Sequence, residues 1–305
     1  MNLEDLEKID SQKMCQTYDK WPDIAKQRYE QEFSRPEFKD IDHVVFAGMG
    51  GSGTIGDVFS SILSKNNIHT SVVKGYLLPK TVDSNTLVVA TSISGNTDET
   101  LTVLENSVKT NAKVIALSSG GKMEEVSSKN SIPYFKINQT HSPRASLLQF
   151  LYSTLNILQE FIPIKKVDIT ESLSQLKNIQ KQICSSNLTD DNPALNLAKW
   201  INTIPVIYYP AGLQAAAIRF KNSMQENAKK HVITEDVIEA CHNGIVAWEE
   251  SSNLQPILIL GKDDYVKTKE RWEILKEFFQ IKNIEYKQVF STEGSILTKL
   301  VCLVY

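Results

Sequence analysis

HVVFAGMGGSGTIGDVFSSIL, residues 43–63, decides the fold class. It opens with a short apolar run, His43 to Gly48, long enough for a buried strand and too short for a helix. A glycine-rich loop, GMGGSGTIG, follows, and apolar residues then return at helical spacing in IGDVFSSIL. Strand, tight loop and helix make the first half of a βαβ unit. Downstream, HTSVVK (69–74), TLVVATS (86–92) and AKVIALS (112–118) are three more candidates for buried strands. TDETLTVLENSVK (97–109) is a helix between the last two, and IPYFKI (132–137) ends the series. Strands alternating with helices of about ten residues imply a parallel sheet.

Upstream, LEDLEKI (3–9) and WPDIAKQRYEQEF (21–33) are expected to be packing helices. Beyond the first sheet, RASLLQFLYSTLNILQE (144–160) is expected to be one long apolar helix, followed by a polar helical stretch to about Pro193. The alternation then resumes with PVIYYP (205–210), a helix from Leu213 to about Lys229, PILILG (256–261), a helix over KTKERWEILKEFF (267–279) and IEYKQVF (284–290). The plan resembles one domain type used twice. The expected boundaries are 1–160 for an N-terminal α/β domain with its leading helices, 161–195 for a helical connection, and 196–305 for a second α/β domain. GSILTKLVCLVY (294–305) begins like a helix and reaches Tyr305 with six large apolar residues among the last nine and no stop signal. That pattern sets the expectation of a chain truncated at its C-terminal end, with the second domain incomplete.

Composition narrows the class. Thirty-three basic residues against 36 acidic leave a net charge of −3, so recruitment to nucleic acid by bulk charge is not expected. No apolar run approaches the ~18–20 residues of a membrane helix, and the start, MNLEDLEKID, is unlike a secretion signal. The four cysteines, Cys15, Cys184, Cys241 and Cys302, are far apart, with no CxxC. Reduced thiols in a cytoplasmic protein fit that spacing better than a disulfide frame or a zinc site.

Gly48, Gly50 and Gly53 satisfy GxGxxG between a strand and a helix, the setting of a dinucleotide site. A ribose-binding acid should follow about 20 residues later, and Val73-Lys74-Gly75 stands there instead. A nicotinamide-dependent oxidoreductase is thus a weak rival, and without GK[ST] the loop is no P-loop. A second loop, TSISGNTDET (91–100), also follows a strand and opens a helix. Ser92, Ser94 and Thr97 offer hydroxyls, Gly95 frees the backbone, and the helix start adds N–H groups suited to a phosphate monoester. The plain alternative is an ordinary loop with Ser or Thr as N-cap.

GMGGSGTIGD (48–57), SISGNTDET (92–100), SPRAS (142–146), NSMQENAK (222–229) and HNGIVAWE (242–249) resemble, in order and spacing, the bifunctional phosphoglucose/phosphomannose isomerases, built from two sugar isomerase (SIS) domains. The resemblance covers the whole chain. It implies two α/β domains, each an open parallel sheet with helices on both faces in a flavodoxin-like three-layer sandwich. The implied activity is interconversion of glucose 6-phosphate, fructose 6-phosphate and mannose 6-phosphate through a cis-enediolate, with no metal and no cofactor. Glu226 matches the family's catalytic base, His242 the ring-opening histidine and Arg144 the arginine beside the developing oxyanion. Gly50, Gly51, Ser52, Ser92, Ser94 and Thr97 match its sugar- and phosphate-binding positions. A homodimer with His242 reaching the neighbouring active site is also implied, with no membrane or nucleic-acid partner. The family's pattern continues to a lysine and a threonine past this point, and the chain ends at Tyr305 before both; Lys299 does not take the lysine's place.

From the residues by themselves, each of the three reads more plainly. Leu213, Ala217, Phe220, Met224 and Ala228 form an apolar stripe, and at 100° per residue Glu226 falls roughly opposite, as a solvated glutamate. Arg144 reads as an interdomain salt bridge, His242 as a satisfied loop histidine. A non-catalytic SIS protein that senses sugar phosphate is the second rival.

Overall fold

The computed structural model describes residues 3–305. The chain divides into two compact units, Glu4–Leu173 and Ser174–Tyr305. Each contains one parallel sheet.

In the first unit, α1 (Leu3–Ile9), α2 (Met14–Asp19) and α3 (Trp21–Tyr29) precede β1 (His43–Ala47), α4 (Gly50–Leu63), β2 (His69–Val73), β3 (Thr86–Ser92), α5 (Asp98–Ser107), β4 (Lys113–Ser118), α6 (Lys122–Lys129) and β5 (Tyr134–Lys136). The strand order is β2-β1-β3-β4-β5, all parallel. This is the flavodoxin-like order, whose direction of winding reverses between β1 and β3. Every residue of β1 and β3 is buried, as interior strands of a sheet covered on both faces require. β2 corrects an expectation: it is an edge strand, exposed at His69 and half-buried from there on. Its valines reflect pairing on one side only.

After β5 comes a 3-10 turn, Pro143–Ala145, and then α7 (Leu147–Leu158), buried at every residue. The leading helix α3 packs on α7. Polar bonds fix that contact: Asn156 Nδ2 donates to Gln31 O at 2.9 Å, and Tyr29 Oη to Gln159 Oε1 at 2.8 Å. α8 (Lys166–Ile183) runs across the division between the units.

The second unit contains α9 (Pro193–Trp200), β6 (Ile204–Tyr209), α10 (Gln214–Ser223), β7 (Ile233–Asp236), α11 (Val237–Ala240), β8 (Leu254–Leu260), α12 (Val266–Ile281), β9 (Lys287–Phe290) and α13 (Ile296–Val304). Its parallel order, β7-β6-β8-β9, repeats the first four positions of the other sheet. Tyr208, Trp248, Leu258, Trp272, Leu275 and Phe279 form the centre of one core. The apolar face of α13 is buried at Leu297, Leu300 and Val301 and packs on α10. β7 is absent from the sequence expectations. Its residues, ITED, carry no apolar run, and the strand lies at the sheet edge, exposed at Ile233 and half-buried from there on. Asp236 closes it by accepting the Ile238 and Glu239 N–H groups at 2.8 and 3.3 Å, which starts α11. Among the described residues no helix is long and apolar enough to cross a membrane.

Candidate functional site

Because all five strands of the first sheet run the same way, the loops after β1, β3, β4 and β5 leave by one edge. The first and second of these flank the reversal point, where open α/β sheets bind ligands. The β1 loop comes close to its neighbours: a Cβ on Gly48 would lie 2.9 Å from both Ser52 and the Thr91 carbonyl oxygen. Gly50 has φ +54°, and Gly51 and Ser52 complete the first turn of α4. Buried Ser52 accepts the Ile93 N–H at 3.3 Å, which joins the first loop to the second.

In the second loop, buried Ser92 Oγ accepts the Gly95 N–H at 3.1 Å and pairs with Thr97 Oγ1 at 2.9 Å. Thr97 is the N-cap residue of α5, yet its side chain makes no capping bond. The plain reading of SISGNT as a capped loop is therefore not met. The hydroxyls of Ser92 and Thr97 pair with each other, no side chain caps the start of α5, and Ser94 stands exposed nearby.

A third loop, Ser118–Gly121, is not among the residues expected from sequence. Ser119 donates to Ile93 O from its N–H at 3.0 Å and from its hydroxyl at 2.6 Å. The Met123 N–H donates to Gly95 O at 2.9 Å, and the Lys122 N–H to Asn96 Oδ1 at 3.1 Å. These bonds clamp the second loop from behind. A signal for it is present: KVIALS followed by SGG and a helix repeats the strand, small-residue loop and helix of the other two. Lys74, where a dinucleotide site needs an acid, pairs instead with Asp57 of α4 at 2.6 Å. Burial pushes the Asp57 carboxyl up, against the pull of that lysine.

Arg144 also belongs to the first unit, half-buried in the 3-10 turn after β5. The helix expected from Arg144 starts only at Leu147. Buried Ser146 explains the delay, since its Oγ donates toward Ser142 O at 2.9 Å and Thr140 O at 3.1 Å and ties the turn back on itself.

Glu226 and His242 belong to the second unit. The expected helix through Lys229 is α-helical only to Ser223; Met224–Ala228 is a π-helical turn ending at Lys229 in the left-handed conformation, φ +56°. The wider turn breaks the 100° periodicity on which the stripe was drawn. Ala228 is exposed, and Glu226 is half-buried rather than fully solvated. Single π turns within helices are frequent at functional sites. Glu226 lies where the chain returns toward the start of β7, at the opposite edge of that sheet from its carboxyl ends.

His242 is exposed just after α11, its N–H bonded to Glu239 O at 2.9 Å. The 3-10 turn that follows, Gly244–Glu249, is anchored by Trp248, whose indole donates to Tyr208 Oη at 2.8 Å. Burial pushes that phenol up to about 12, so it stays neutral in this bond. Among the described residues, no three His, Cys, Asp or Glu side chains gather where they could share a metal ion.

Comparison with known proteins gives this geometry a family. A bifunctional phosphoglucose/phosphomannose isomerase of Caldicellulosiruptor bescii is 31% identical over 280 residues, 88% of this chain and 81% of that one. The chain belongs to this family. Its residues 37–133 match the SIS domain family, and residues 190–305 match the family described as the bacterial phospho-glucose isomerase C-terminal SIS domain. A D-glucosamine-6-phosphate 4-epimerase of Sulfolobus acidocaldarius is 28% identical over 256 residues, 83% of this chain and 78% of that one. In fold, a hypothetical protein of Thermus thermophilus superposes with a TM-score of 0.71 at 13% identity, covering 98% of this chain and 84% of that one.

Proposed function

We propose that this member of the family is an aldose–ketose isomerase that interconverts glucose 6-phosphate and fructose 6-phosphate, and accepts mannose 6-phosphate, through a cis-enediolate. The observation that carries the reading is the second loop of the first unit. There Ser92, Ser94 and Thr97 crowd beside the uncapped start of α5, while Ser52 joins the loop after β1 to it. That collection of hydroxyls and N–H groups suits a phosphate dianion. Gly50 and Gly51 let the sugar approach the backbone.

In the reaction, His242 moves a proton between the ring oxygen and the anomeric hydroxyl, which opens the ring. Glu226 takes the proton from C1 of the open ketose as a cis-enediolate forms, and returns it to C2 of the aldose. The Arg144 guanidinium stabilises the enediolate oxygens. Residues 161–195 are the connection between two SIS domains. The protein works as a homodimer in which His242 serves the neighbouring active site, and it is cytoplasmic; its four free thiols suit a reducing compartment.

The test is formation of glucose 6-phosphate from fructose 6-phosphate in a coupled assay with EDTA present. The wild-type chain should turn over, and Glu226→Gln should lose activity by a factor of about 10³ or more while still binding fructose 6-phosphate. Phosphosugar binding without turnover in the wild type would favour the sensor reading. Retained turnover in Glu226→Gln would remove the base from its role. Because one relative is an epimerase, glucosamine 6-phosphate belongs in the same panel. Epimerisation at C4 without isomerisation would reassign the reaction.

A further inference from the structure

The turn that carries Arg144 is held by the helical leader of the chain. Trp21, the first residue of α3, is 1% exposed, and its indole N–H donates to Ala145 O at 2.7 Å in a buried bond across 124 residues of sequence. Ala145 follows Arg144 directly, so this bond fixes the Ala145–Ser146 peptide, one residue beyond the Arg144 Cα. Two more polar contacts reach the same turn from the bend between α1 and α2. His141 donates from Nε2 to Gln12 O at 3.0 Å, and Ser142 Oγ lies 3.9 Å from Met14 Sδ. The bend is itself locked, because Asp10 accepts the Met14 and Cys15 N–H groups at 3.0 and 2.7 Å.

A three-residue 3-10 turn has little rigidity of its own. Inside this one the backbone supplies Ala145 N–H to Ser142 O at 3.1 Å and Ser146 N–H to Pro143 O at 3.2 Å. Its orientation therefore depends on outside anchors, and of the three named here the Trp21 bond is the shortest. A leader that only filled space would meet the turn through apolar atoms. Here the indole packs edge-on against Tyr18, with ring centroids 4.6 Å apart, and directs its one polar atom at the Arg144–Ser146 segment.

We infer that Trp21 is a positioning residue for Arg144: its bond to Ala145 O sets the direction from which the guanidinium meets the developing enediolate. The inference rests on the role proposed for Arg144. A misplacement of about 1 Å in a catalytic group can cost on the order of 100-fold in rate, so a bond one peptide away has the leverage required.

The experiment is a double-mutant cycle on fructose 6-phosphate turnover with Trp21→Phe, Arg144→Gln and both together. Trp21→Phe should lower kcat about tenfold and leave KM within about twofold, and it should have no further effect once Arg144 is Gln. Unchanged kcat in a folded Trp21→Phe protein overturns the inference. So does the same loss in both backgrounds, which would mean that Trp21 acts on stability or on another group. If Arg144→Gln alone leaves kcat intact, the role of Arg144 fails first, and the inference with it. Should Trp21→Phe not fold, 3-benzothienylalanine at position 21 keeps the ring shape and removes only the N–H, and the same outcomes decide.

Discussion

Gly95 shows how one position can be readable in a sequence while its reason is not. It has φ +72°, and a Cβ there would stand 1.7 Å from the Gly120 carbonyl oxygen, which shares its neighbourhood with the Ser118 hydroxyl. Two penalties therefore coincide: a left-handed backbone and a contact with the third loop that no rotamer relieves. Gly95→Ala should cost about 2 kcal/mol or more of stability and push the second and third loops apart. Thermal unfolding beside KM for fructose 6-phosphate checks it, with a lower Tm and a raised KM expected together. A variant with a lower Tm and wild-type KM would separate this loop from phosphate binding. The need for a glycine in SISGNT was legible, because a turn stood between strand and helix. Its partner, Gly120, was not, since that contact joins loops 25 residues apart on neighbouring strands.

At the scale of elements, what was legible follows the amount of apolar surface each one buries. β1, β3 and β4 are rich in Val, Leu, Ile and Ala, and each appears where its run predicts. β7, acidic and at an edge, gave no such signal, and the π turn at Glu226 left no mark in residue types. β2 misled in the other direction, its HTSVV run lying at the edge rather than in the interior. Its pairing with β1 carries a consequence for acid stability. His69, His43 and Thr86 are register partners across β2, β1 and β3. The His43 ring is 5% exposed, 4.6 Å from the His69 ring, with Nε2 3.0 Å from Ser71 Oγ. Burial, helped by His69, pushes the His43 imidazole below its ordinary value of 6.5, and Asp83 and Asp42 only partly oppose that shift. The unfolded chain therefore takes up the proton first. Stability is full above about pH 6.5 and is lost as the pH falls through the lowered native value. His43→Asn, which cannot titrate, should flatten the fall in Tm between pH 7 and 5; an unchanged slope would place the acid sensitivity elsewhere.

In the proposed mechanism the assigned residues divide between the two units. The loops proposed to hold phosphate, and Arg144, belong to one compact unit, Glu226 and His242 to the other. The second sheet repeats the first four strand positions of the first, and the proposed catalytic roles divide between the two. The rule that ligands gather at the carboxyl ends of the strands points to the loops of the first unit. It does not reach the residues proposed in the second unit, because Glu226 lies at the other edge of its sheet and His242 on an exposed turn after α11. An exposed His242, in its proposed ring-opening role, fits service to a second copy of the chain, and a mixed dimer tests this directly. Glu226→Gln and His242→Ala are each expected to be inactive as homodimers. In a dimer containing one of each, the site built from the intact glutamate of one chain and the intact histidine of the other is complete, and its counterpart carries both defects. Random exchange of equal amounts makes half of all dimers mixed and one site in each of them whole. The mixture should thus recover about a quarter of wild-type turnover. Recovery must also need subunit exchange, and it should be absent when the two variants are mixed under conditions that block dissociation. If exchange demonstrably occurs and activity stays at the level of the separate variants, His242 works within its own chain, and the dimer is not part of the catalytic site.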